Sequence, residues 1–157
     1  MPHRFILVLT LAAASLLAQT EPTVHTTADL AQREAKLLAA AKANPTGLAS
    51  EVIDDYGNDR SMLIVRVHTG APERHQLWAD EMVITTGTVT LVTGGTMQGE
   101  HPNGTSPGET LGTDLQGGKE VVLHVGDIAH VTAGVPHRVI LAPGTTATYL
   151  IFKEKDK

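Results

Sequence analysis

Eight histidines and no cysteine decide where chemistry can sit in this 157-residue chain. Without thiols there are no disulfides, no thiolate nucleophiles and no Cys-ligated zinc or iron–sulfur centre, so imidazole and carboxylate are the donors left. Two stretches hold them at useful spacing: Glu73 and His75 in ERHQLWADEMVITTG, and His137 in GDIAHVTAGVPHRVI. Alternate side chains along a strand share a face, so Glu73 and His75 can point into one cavity, and His137 can reach them from a neighbouring strand. Two imidazoles with one or two carboxylates make a mixed nitrogen and oxygen set suited to a divalent metal ion: Fe, Mn, Zn or Ni. Such a set leaves coordination positions open for water, substrate or dioxygen, as a catalytic site requires.

The elements that must position these groups are strands. Residues 62–67, 81–85, 88–92, 120–125, 128–131, 138–141 and 147–152 are short runs rich in Val, Ile, Leu and Thr, separated by Gly, Pro, Asn and Asp. That pattern predicts antiparallel strands in a sandwich or barrel. One helix precedes them. In TADLAQREAKLLAAAKAN, Leu30, Leu37, Leu38 and Ala41 fall on one helical face, with Thr27 placed to cap and Asp29 at the amino end. Asn44-Pro45-Thr46-Gly47 ends it. The glycine-rich tract 94–119 reads as a long loop, either a lid or a mobile insertion.

Gly126, Asp127, Gly134 and His137 stand as they do in the second signature of the cupin family, which the stretch resembles; Thr132 replaces the usual proline. The family's first signature has two histidines one residue apart, then a glutamate, then a glycine. Here His75 matches the second histidine, Asp80 the glutamate and Gly87 the glycine, while Glu73 stands where the first histidine would be. A second register takes His75 as the first histidine, with Leu77 in the second place and Glu81 as the carboxylate; the spacing to Gly87 favours the first. The resemblance covers roughly residues 62–152. It implies an all-β double-stranded β-helix, a jelly-roll barrel preceded by one α-helix, whose inner face brings His75, His137, Asp80 and Glu73 to one metal. It also implies oxygenase- or isomerase-type chemistry on a small molecule, and a tendency to pair as a homodimer. Glu73 and Asp80 keep ligand chemistry and favour a metal, while loss of one histidine goes with a metal-free barrel that only binds its ligand, which stands as the alternative.

Other polar residues carry less. His124 and His130 are expected at the surface, Arg66 and His68 share one strand face with the arginine solvated, and His101 lies in the glycine-rich tract. Trp78 is expected to pack at the barrel mouth, and Gly70, Gly87 and Gly134 to serve turns with unusual backbone angles.

Composition closes off other classes. Twelve basic against 17 acidic residues offer no field for phosphates, and 3% aromatic residues build no stacking platform, so nucleic acid is excluded as a partner. Arg4 followed by the apolar run 5–18 and Ala18-Gln19-Thr20 reads as a signal peptide, too short to span a bilayer. The expected organisation is a signal peptide at 1–20, a helix and linker at 21–47, and a barrel at 48–157. The expected product is secreted or periplasmic, with no membrane association once the signal is removed.

Overall fold

The computed structural model describes residues 22–104 and 106–156; the expected signal peptide lies outside them. A helix, α1 (Thr27–Ala43), is followed by β1 (Leu48–Asp55), β2 (Asp59–Arg66), β3 (Glu73–His75), β4 (Trp78–Thr86), β5 (Val89–Thr93), β6 (Thr96–Gln98) and β7 (His101–Pro102). Then come β8 (Glu109–Leu111), β9 (Asp114–Gln116), β10 (Lys119–Leu123), β11 (Ile128–Val131), β12 (His137–Ile140) and β13 (Ala147–Lys155). One sheet runs β1-β2-β13-β4-β11, the other β10-β5-β12-β3-β8-β7, and β6 pairs with β9. This is the expected all-β jelly-roll barrel with one helix before it.

Side-chain parity separates the two faces of the first sheet. On β13, Ala147, Tyr149, Ile151 and Lys153 are buried while Phe152 and Glu154 are exposed. On β4, Asp80, Met82 and Ile84 are buried. Met82, Ile84, Tyr149 and Ile151 meet Val89, Leu91 and Val139 of the opposite sheet in one apolar core. Each such buried side chain contributes about 1.5–3 kcal/mol. The polar members Asp80 and Lys153 therefore lie at the end of an inward face whose apolar remainder fixes their orientation.

The outer face of β1 and β2 is covered by α1. Leu63 and Val65, of opposite parity to the inward Met62 and Ile64, are buried there. Polar ties hold the helix down: Arg33 donates to Glu51, Thr148 Oγ1 donates to Glu34 at 2.8 Å, and His25 Nε2 lies 2.8 Å from Asp54 Oδ2. The N-cap is Thr26, whose hydroxyl accepts from the Asp29 N–H at 3.2 Å, one residue earlier than the sequence suggests. At the other end the Asn44 N–H donates to the carbonyls of Ala40 and Ala41.

Tract 94–119 is not a long loop. It folds into β6 to β9, and β8 pairs with β3 as well as β7. Strands of two or three residues are too short to leave a period in the sequence, so the tract reads as irregular. No helix among the described residues is long and apolar enough to cross a membrane.

Candidate metal centre

Strand register assembles the site. His137 on β12 lies directly across from Glu73 on β3, and His75 lies across from Glu109 on β8. Directly opposed residues share a face, and alternation adds Glu73 to the face of His75, so one sheet presents both histidines and two carboxylates inward. The facing sheet presents a polar row across three strands: Arg60 opposite Lys153, and Lys153 opposite Asp80. The two sets line one cavity of about 260 Å³.

The turn before His137 closes without a proline. Val135 N–H donates to Thr132 O at 3.1 Å, and Gly134 N–H donates to His75 O at 2.8 Å, a bond that ties the two motifs together. Gly87 and Gly134 have φ of 81° and 78° as expected, but Gly70 does not take a positive φ. Its role is room: a Cβ there would meet Arg66 Nη1 at 2.6 Å.

All four predicted ligand residues meet. Atoms of Glu73, His75 and His137 lie within 4.8 Å of one another. His137 Nε2 is 3.6 Å from Glu73 Oε1, His75 Nε2 is 3.9 Å from Glu73 Oε2, and the ring centroids are 5.2 Å apart. Asp80 stands outside that closest trio but borders it, with Oδ2 at 3.4 Å from His75 Nε2 and 3.8 Å from His137 Nε2. The other register is not what the fold builds: Leu77 is exposed, and Glu81 lies outside the barrel beside His130 Nδ1 at 3.1 Å.

The donor atoms fit a divalent ion. His137 Nδ1 faces Val135 O at 3.2 Å, which places its proton there and leaves the Nε2 lone pair toward the carboxylates. Nε2 of both rings and the carboxylate oxygens form the mixed set such ions take. His75 Nδ1 is 3.2 Å from Glu109 Oε1 but lacks the alignment of a hydrogen bond, and is a buried polar atom without a hydrogen-bond partner.

The electrostatics are those of a strongly coupled cluster. Burial pulls His75 down, yet Asp80, Glu109 and Glu73 outweigh it and raise the imidazole to about 9. Burial pushes Asp80 up, yet His75 and Lys153 hold it down to about 2. His137, more deeply enclosed, is lowered, chiefly by burial, and His75 adds to the effect. The His75 imidazolium, whose Nδ1 lies close to Glu109 Oε1, holds the Glu109 carboxyl below its ordinary value. At neutral pH the metal-free cluster thus holds one imidazolium, His75, beside a neutral His137.

Arg66 is not solvated as the sequence suggests. It is 6% exposed, its Nε donates to the Tyr149 hydroxyl at 2.7 Å, and its Nη2 lies 3.9 Å from Glu73 Oε1. Three charged residues of the cavity escaped sequence reading. Lys153 had a signal in its parity with Tyr149 and Ile151, whereas Arg60 and Glu109 are recognisable only from their cross-strand neighbours. His124 and His130 are exposed as expected; His101 is exposed and bonded to Gly99 O at 3.0 Å, outside the cavity.

No protein-family pattern matches the chain, and no curated protein matches it. Solved structures do. An oxalate oxidase superposes with a TM-score of 0.52 at 13% identity, over 72% of this chain and 53% of that one. KdgF from Halomonas sp. gives 0.50 at 10% identity over 73% and 84%, and the cupin domain of Cnp3 from Schizosaccharomyces pombe gives 0.50 at 8% over 72% and 64%. The fold is that of the cupins. The chain spans about half the length of the oxalate oxidase chain it resembles.

Proposed function

We propose that the chain is an exported single-domain cupin that holds a divalent metal ion and acts on a small molecule. The observation that carries this reading is the convergence of His75 Nε2, His137 Nε2 and a Glu73 oxygen within 4.8 Å. His75, His137 and Glu73 would hold the ion, with Asp80 as a further ligand once its contact to His75 is exchanged. When bound, the ion supplies Lewis acidity and an open coordination position for oxygenase- or isomerase-type chemistry. The chain's own part is positioning and exclusion of water: Met62, Ile64 and Val139 wall the cavity. Asp80, held down to about 2, is poorly matched to general-base work at neutral pH and serves as ligand or orienting group. Export rests on the apolar run 5–18 and is checked by amino-terminal sequencing of the mature protein.

A second reading, a metal-free binding protein, draws support from Lys153, whose ammonium already neutralises Asp80 at 2.8 Å. Metal analysis of protein purified without a histidine tag separates the two. Stoichiometric metal in the wild type, lost in His75→Ala and His137→Ala, supports the enzyme reading. Absence of metal after incubation with Fe, Mn, Zn and Ni leaves the binder.

A further inference from the structure

Among the cations of the cavity, Arg66 is bonded to Tyr149 and Lys153 to Asp80. Arg60 is different. Its Nε is buried without a hydrogen-bond partner, and its nearest carboxylate oxygen, Glu109 Oε1, is 3.9 Å from Nη2, too far for a hydrogen bond. Its guanidinium lies over the Trp78 ring, 4.5 Å from the centroid, which holds the planar group in place from one side. Buried donors without a partner are rare in native folds and call for an explanation, and a bound group beside the guanidinium supplies one. Arg60 also borders a second groove of about 440 Å³ beside Tyr56 and Phe152, so it stands between that groove and the inner cavity.

We infer that Arg60 is the ligand-gripping residue at the mouth of the cavity and that the ligand is a small organic carboxylate. The inference rests on the reading of this cavity as the functional site and names its substrate class. A guanidinium presents donors in a planar fork that matches two carboxylate oxygens, and its stacking on Trp78 removes much of the ordering cost. A singly charged planar anion suits the surroundings better than phosphate, because Asp80 already neutralises Lys153 and Glu73 lies beside Arg66, which leaves Arg60 to be matched by one negative charge, while Glu109 nearby disfavours a second. Size agrees: about 260 Å³ is below the range of about 300–1,000 Å³ that holds drug-sized ligands.

Trp78 is the only tryptophan, so its fluorescence reports on Arg60 directly. Metal-free and metal-loaded protein are titrated with lactate, with lactamide as the uncharged isostere, and with inorganic phosphate, all at constant ionic strength. A saturable change with lactate alone, weakened roughly tenfold or more in Arg60→Gln, supports the assignment. An equal response to lactamide, stronger binding of phosphate, no response to lactate, or unchanged lactate binding in Arg60→Gln overturns it. The comparison of acid with amide uses the wild type, so it holds even where the variant folds poorly. Metal content measured on the same samples separates the two claims: protein that holds metal yet treats acid and amide alike refutes the carboxylate assignment alone. Protein that discriminates them but holds no metal refutes the metal reading alone.

Discussion

Lys153 Nζ donates to Asp80 Oδ1 at 2.8 Å inside the barrel, with both side chains 6% exposed. The two are opposite one another on β13 and β4, so the pair is set by register rather than by side-chain flexibility. One carboxylate of the site therefore already has a fixed cation. An incoming metal must share Asp80 with it.

Lys153→Met tests that relationship. The substitution leaves Asp80 buried without its ammonium, and breaking a buried pair from one side costs about 3–5 kcal/mol. Urea unfolding of the metal-free variant should show a loss of that order. Added divalent ion should restore part of it, because the freed oxygen gains a new cation. Equal loss with and without metal would mean that Asp80 takes no part in ion binding.

Stability of the metal-free protein should peak near pH 6.5. His75 is raised from 6.5 to about 9 in the fold, so its contribution is complete below pH 6.5 and fades as pH rises through 9. His137 is lowered from 6.5, so the fold loses stability as pH falls below that value. Asp80, lowered from 3.8 to about 2, adds a further loss as pH falls from 3.8 toward 2. Denaturation midpoints measured from acid to alkaline pH check the shape, and His75→Gln should flatten the alkaline side. A wild type whose midpoint does not fall between pH 6.5 and 9 contradicts the ion-paired imidazolium.

Metal uptake should release a proton. A ligand nitrogen must be unprotonated, and His75 keeps its proton up to about pH 9 in the metal-free cluster. Affinity should therefore tighten about tenfold per pH unit through neutrality. Calorimetry in buffers of different ionisation enthalpy counts the proton directly. A pH-independent affinity would show that His75 is not a ligand.

Much of this site can be read from the sequence because its spacing is strict. His137 and its Gly134 turn, and the alternation of Glu73 with His75, survive as patterns since a barrel face admits only every second residue. The cations do not survive in this way. Arg66 looks solvated because its partner, the Tyr149 hydroxyl, is far along the chain and arrives only when β13 pairs with β2. Arg60 and Glu109 depend on contacts between sheets that no local period encodes. Strand β1 is hidden for a related reason: Glu51 and Asp54 dilute its apolar pattern, and they are there to hold Arg33 and His25 beside the helix.

Gly70 gives a further test of how the arginine beside Glu73 is held. Alanine there would place its Cβ 2.6 Å from Arg66 Nη1, forcing a buried guanidinium away from the Tyr149 hydroxyl that accepts its Nε proton at 2.7 Å. Gly70→Ala should cost about 1–3 kcal/mol through crowding and the loosened bond. Tyr149→Phe, which removes the acceptor but leaves the space, should cost a similar amount, about 1–3 kcal/mol, by leaving the buried donor without a partner. Because both changes act on the same Arg66 bond, the double variant should cost less than the two losses added together, as coupled neighbours do. Additive losses in urea unfolding would show that Gly70 is required for its backbone and not for the room it leaves to Arg66.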